Sequence, residues 1–195
     1  MKMPPINRYT ILLVILIAFI AYALYKKPGL RQQVLSEIST SPISAIAVLT
    51  QGNVKGTVKF KEDSASDCTF IDVALDGVPP GDHGFHVHEY GDLTNGCVSA
   101  GDHYNPTGVK HGDVDSGHVG DLGNLTADSQ GRVRKKIRSK SLKLRGPYSV
   151  IGRTIVLHSS KDDLGMTDHP QSSTTGNSGD RIACAIIGIA ATNST

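Results

Sequence analysis

The spacing of apolar positions divides the chain into three stretches. Residues 9–25, YTILLVILIAFIAYALY, carry no charge, while Lys2 and Arg8 precede them and Lys26 and Lys27 come directly after. A continuous apolar run of this kind predicts a hydrophobic N-terminal helix. At about 1.5 Å per residue it spans about 25 Å, slightly short of a bilayer core of about 30 Å. Ala21-Tyr22-Ala23 closes the run with small residues two apart, as a signal peptidase accepts. Two readings of 1–25 stay open, a cleaved signal peptide and an uncleaved membrane anchor, and the flanking charges are too even to orient the latter. Either delivers the remainder of the chain to the extracellular side, secreted or anchored to the outer face of a membrane. Residues 26–43 read as a polar stalk, with loosely spaced Leu30, Val34, Leu35 and Ile38 and a stop at Pro42.

From Ala45 onward the period becomes two. Candidate strands are Ala45–Leu49, Val54–Phe60, Phe70–Leu75, the segment from Gly84 to Glu89, Leu122–Thr126, Val133–Arg138, Ser149–His158 and Ile182–Ile189. Phe85, Val87 and Glu89 fall on one face of the fourth, and His86 and His88 on the other. Eight strands predict an all-β domain over 44–191, an antiparallel Greek-key barrel or sandwich, with 192–195 as a tail. The segments 90–120 and 159–180 lack strand pattern, and long loops in a compact domain usually carry function. Composition agrees: among 195 residues there are 21 glycines and no Trp, and the net charge is only +2.

The chemistry concentrates between Gly84 and Asp121. Five histidines, at 86, 88, 103, 111 and 118, and Asp121 fall within 36 residues, and His158 stands further on at the end of a strand. That is too many ligands for one tetrahedral metal. His86, His88, His103 and His158 make an imidazole-only set, which suits copper. His103, His111, His118 and Asp121 make a set of three nitrogens and one oxygen, which suits structural zinc. His103 belongs to both, and an imidazole has two ring nitrogens with which to bridge two metals. His83, ahead of the strand, reads as a hydrogen-bonding structural residue, and His169 as a solvated loop residue.

GFHVHEYGD, GCVSAGDHYNP, HVGDLGN, VIGRTIVLH, DDLG and TGNSGDRIACAIIGIA occur in that order in this chain. Their content and order resemble the copper/zinc superoxide dismutases over about 45–191. The resemblance implies a redox-cycling enzyme that converts superoxide to oxygen and hydrogen peroxide with one copper and one zinc per chain. It assigns copper to His86, His88, His103 and His158, and zinc to His103, His111, His118 and Asp121, with His103 acting catalytically as ligand and proton relay. It makes Asp162 a carboxylate linking His86 to His111, Arg181 the anion guide beside copper, and Thr175 the residue that narrows the channel. It pairs Cys97 with Cys184, 87 residues apart, a closure that the chain-entropy model values at about 4–5 kcal/mol. It also implies a homodimer, with Ile46, Val48, Ile151, Gly152, Ile187 and Ile189 where the family makes its contact. The chain departs from the family at Ser160, Met166 and Thr174, where lysine is common. The alternative function, a non-catalytic metal-binding or interaction module with the same fold, would be expected to have lost copper ligands or the guiding arginine.

Three features lie outside that pattern. Cys68 has no partner in it and reads as a free, half-buried thiol. Residues 132–145, RVRKKIRSKSLKLR, hold eight basic residues and no acid. They read either as a solvated strand edge protected by charge or as a site for heparin-like polyanions; no nucleic-acid partner is expected. Asn124-Leu125-Thr126 and Asn193-Ser194-Thr195 are glycosylation sequons.

Overall fold

The computed structural model describes residues 7–27, 29 and 43–191. Most of the expected stalk, and the tail at 192–195 with Asn193, lie outside the described residues. The chain divides into two compact units between Ser41 and Pro42. The first contains helix α1 (Arg8–Lys26), capped by Asn7, whose Oδ1 accepts from the Tyr9 N–H at 3.1 Å. Apolar side chains are exposed along its length, from Tyr9 to Tyr25. Among the described residues, no helix is long and apolar enough to cross a membrane.

The second unit is an antiparallel sandwich. One sheet has five strands in the order β10 (Gly188–Ala190), β1 (Ile43–Leu49), β2 (Lys55–Asp63), β3 (Cys68–Asp76) and β7 (Val133–Ser139). The other has four, β6 (Asp121–Ala127), β4 (Gly81–His88), β8 (Thr154–His158) and β9 (Arg181–Ile186). Alternation builds the core directly. Val58 and Phe60 of β2 turn inward between exposed Lys59 and Lys61, and Ile71, Val73 and Leu75 of β3 do the same. They meet Phe85, Val87, Leu125, Ile155 and Leu157 from the facing sheet in one buried cluster. The connection after β7 adds Leu142 and Leu144 to it.

All eight expected segments contain strand, yet among the described residues nine strands enter the two sheets. The last segment divides. β9 pairs with β8 in one sheet, and β10 pairs with β1 in the other. Ile187 stands at the break, fully buried, donating its N–H to the Arg153 carbonyl and accepting from Gly152, each at 2.8 Å. A short further strand, β5 (Thr94–Cys97), lies outside both sheets in the first long loop. β8 is also shorter than expected, because Ser149–Arg153 turns, with Arg153 N–H bonded to the Val150 carbonyl at 3.1 Å.

The basic segment is largely paired with acid. β7 lies beside β3, and Arg134 reaches Asp76 at 2.9 Å while Lys136 reaches Asp72 at 3.0 Å. Arg132 pairs with Asp128, Lys143 with Asp67 and Arg145 with Glu62. Lys135 keeps its exposure between buried Val133 and Ile137 on the sheet edge, where a charge discourages further strand addition.

Candidate metal centre

Strand β4 delivers the first two imidazoles. Phe85 and Val87 enter the core, so His86 and His88 occupy the other face, which is buried as well. Glu89 lies beyond the strand end and is exposed, and His83 falls inside β4 rather than ahead of it. His83 is buried with ring nitrogens 2.8 Å and 2.7 Å from the His158 and Pro79 carbonyls. The pairing of β4 with β6 shifts register between Gly84 and His86, which sets His86 opposite Asp121. The first long loop folds back onto β4: the Tyr104 N–H donates to the Val87 carbonyl at 2.8 Å, and the Glu89 N–H to the Asp102 carbonyl at 2.9 Å. That seats His103 opposite His88.

Two ligand sets result. The donor atoms of His86, His88, His103 and His158 all lie within 4.8 Å of one another, as do those of His103, His111, His118 and Asp121. Every one of these residues is buried, and His103 is common to both sets. The two sets pass a test of fit. His86 Nδ1, His103 Nε2, His111 Nδ1 and His118 Nδ1 are buried with no hydrogen-bond partner among the described residues. Unpaired buried polar atoms are costly. His111 Nδ1 and His118 Nδ1 lie 2.9 Å and 3.3 Å from Asp121 oxygens, close but without hydrogen-bond geometry. His88 Nε2 lies 3.2 Å from His158 Nε2 and His103 Nδ1 lies 3.0 Å from Asp121 Oδ1, but the four remaining nitrogens, crowded together and unpartnered, suit shared cations.

Asp162 ties the sets together. Its Oδ2 lies 2.7 Å from His86 Nε2 and its Oδ1 2.8 Å from His111 Nε2. Such partners orient a ligand ring and fix its tautomer. Gly176, at φ +64°, makes room for this contact: a Cβ there would collide with Asp162 Oδ1 and with His111 Nε2. Along the chain that need shows only as one more glycine in a loop.

Burial and charge divide the ring pKa values. Burial, reinforced by His103, pushes His86 down to about 3. Burial does the same to His158, to about 4, and lowers His88 and His103. His111 is also desolvated, but the carboxylates of Asp121 and Asp162 outweigh burial and raise it to about 9. Both carboxylates are held below the usual range despite their burial, because histidines donate to them.

A cavity of about 770 Å³ opens beside His103 and His118, with Thr174 and Thr175 on its wall. Arg181 does not line it. Its Nη1 donates to the Cys97 and Val98 carbonyls at 2.8 Å and 3.3 Å, and its charge helps lower His88 and His158. Cys97 and Cys184 form a disulfide, which fastens the first loop to β9. Cys68 is free and fully buried, not half-buried, and its Sγ lies 3.1 Å from the Ser66 carbonyl. Arg153 belongs to VIGRTIVLH, but the sequence alone assigns it no role at the site. Its guanidinium stacks 3.6 Å over the ring of Tyr104, next to His103, and its Nη1 donates to the Glu89 carbonyl at 2.6 Å.

Comparison with known proteins decides the family. Residues 54–187 match the family model described as copper/zinc superoxide dismutase. The chain belongs to the copper/zinc superoxide dismutase family. A superoxide dismutase [Cu-Zn] of Paramecium bursaria Chlorella virus 1 is 52% identical over 157 residues, covering 79% of this chain and 82% of the viral protein. The extracellular superoxide dismutase [Cu-Zn] of Brugia pahangi is 44% identical over 189 residues, 90% of this chain and 94% of that protein. The crystal structure of the clock protein EA4 superposes with a TM-score of 0.74 at 43% identity, covering 77% of this chain and 97% of that one. The protein is thus an enzyme of the superoxide dismutase class.

Proposed function

We propose that the chain disproportionates superoxide to oxygen and hydrogen peroxide, with copper at His86, His88, His103 and His158 and zinc at His103, His111, His118 and Asp121. The observation that carries this reading is His103, one buried histidine shared by two ligand sets in which His86 Nδ1, His103 Nε2, His111 Nδ1 and His118 Nδ1 have no hydrogen-bond partner. Copper, when bound, supplies reversible one-electron transfer, reducing one superoxide and oxidising another. The protein supplies position, charge and protons. Asp121 lies 3.0 Å from His103 Nδ1, which leaves Nε2 as the atom that takes up a proton and passes it to the departing peroxide. Asp162 holds His86 and His111 in register. Arg181, anchored through Nη1 by two loop carbonyls, adds the positive charge that draws the anion, and Thr175 narrows the approach.

The same reading sets the chain outside the cytosol, with 1–25 as signal peptide, since no described helix is long and apolar enough to cross a membrane, 26–43 as stalk, 44–191 as the enzyme domain and 192–195 as tail. Extracellular relatives support that placement, and the N-terminal sequence of the mature protein tests it. It also makes the domain a homodimer through the exposed apolar Val48, Ile186 and Ile189, beside half-buried Ile46 and Ile151. Ile187 drops out of that face because it is wholly buried. Sedimentation at twice the chain mass is the expected result, and a monomer would remove the proposal. Lys135, Arg138 and Lys140 are the cations of 132–145 left for a polyanion, and elution from heparin no later than from a plain cation exchanger would remove that role.

Metal analysis of the loaded chain and its variants tests the site assignment. His103→Ala lowers both metals, His88→Ala mainly copper, and His118→Ala mainly zinc. A wild-type chain that holds zinc but takes up no copper would overturn the assignment.

A further inference from the structure

Asn124 stands in the sequence as the acceptor of the sequon Asn124-Leu125-Thr126, but in the fold its carboxamide is already committed. Nδ2 donates to the Asp162 carbonyl at 2.8 Å, and Oδ1 accepts from the Asp162 N–H at 2.8 Å. Thr126 Oγ1 meanwhile donates to Asp82 at 2.7 Å. Two opposed hydrogen bonds to one residue's backbone resemble a rung of strand pairing, and they fix both the place and the plane of that backbone.

The location gives the clamp its meaning. Asn124 is three residues beyond Asp121 on β6, and β6 is paired with β4 so that Asn124 faces Gly84 and Asp121 faces His86. Asp162 lies in the loop after β8, with no strand to hold it. Its carboxylate touches one histidine of each ligand set, His86 and His111. The strand that supplies Asp121 thus also holds the backbone whose carboxylate orients those two rings. One neighbouring tie, from the Gly84 N–H to the Ser160 carbonyl at 2.9 Å, holds the loop to the same region of sheet.

We infer that Asn124 is a positioning residue for both metal sites, acting through Asp162, and that this sequon stays unglycosylated in the metal-loaded protein. A glycan would take one Nδ2 hydrogen and set a sugar where the loop backbone lies. The inference rests on the copper and zinc reading of the site. Partners that orient metal ligands typically change affinity by about 10–100-fold when removed, and Asn124 acts one contact further out.

Zinc and copper retention against a chelator, together with the copper(II) absorption spectrum of the full chain, tests the inference. Asn124→Ala loses both metals about tenfold more readily and shifts the spectrum through His86. Asn124→Asp, which keeps an acceptor for the Asp162 N–H but loses the donor, falls between it and wild type. Thr126→Ala, which destroys the sequon and spares the clamp, behaves as wild type. In an Asp162→Asn background, Asn124→Ala adds little, because both changes act on one contact chain. Wild-type retention in Asn124→Ala, or an undiminished further loss in the Asp162→Asn background, would overturn the inference while leaving the metal reading intact. So would a glycan on Asn124 in wild-type protein that still holds both metals. A wild-type chain that binds neither ion would overturn the metal reading and this inference with it.

Discussion

Protonation of the clustered imidazoles couples the site to the stability of the metal-free protein. His86 and His158 are held by burial at about 3 and about 4, below the ordinary 6.5, and His88 and His103 are lowered too. Between those values and 6.5 the unfolded chain binds more protons than the folded one, so stability rises with pH across that window. Asp121 and Asp162, held below the carboxylate range, act in the same direction at lower pH. His111 has the opposite sign. Its folded value is raised to about 9, so its contribution is complete below 6.5 and is lost as pH rises through 9. The denaturant midpoint of the metal-free protein is therefore expected to climb from pH 4 to 6.5 and to sag towards pH 9. A midpoint that is flat, or highest near pH 4, would contradict this. At this scale the clustering is highly legible in the sequence, since each residue of the two sets sits in a short motif. Asn124 reads as a sequon acceptor and as the last residue of HVGDLGN, and neither reveals its contact, because its bonds run to a backbone 38 residues away.

The loop between β8 and β9 has a low share of positive charge. Lys161 lies 3.9 Å from Asp82 and is well exposed, which makes that pair weak. Asp163 is occupied locally, accepting from Thr167 and Ser172 at 2.6 Å and 2.7 Å. Thr174 lies on the wall of the cavity beside His103. Steering depends on the summed field, which salt screens over about 8 Å at physiological ionic strength. Superoxide consumption is therefore expected to depend only shallowly on salt. Thr174→Lys should raise the rate severalfold at low salt, with the gain shrinking as salt is added. A wild-type rate that falls steeply with salt and does not respond to Thr174→Lys would point to a different source of guidance. Strand alternation locates all eight expected segments, but Ile182–Ile189 does not reveal its change of sheet. One apolar run serves two sheets when the residue between them, Ile187, is itself buried.

Across the whole molecule, charge pairing becomes visible only in the fold. The acids that answer Arg134 and Lys136 lie on β3, some 60 residues earlier, and only the register of β3 with β7 brings them together. Surface ion pairs of this kind contribute little to stability, but they remove much of the free positive charge that the segment 132–145 offers when read alone. The loops meet the sandwich at the shared histidine, and the proposed chemistry depends on it. Its most direct test is the decay of pulse-generated superoxide with the chain carrying copper and zinc, compared with the same chain carrying zinc alone. Rapid second-order consumption proportional to copper content, with oxygen and hydrogen peroxide formed in equal amounts, is the predicted result. A copper- and zinc-loaded chain that consumes superoxide no faster than its zinc-only form would contradict it.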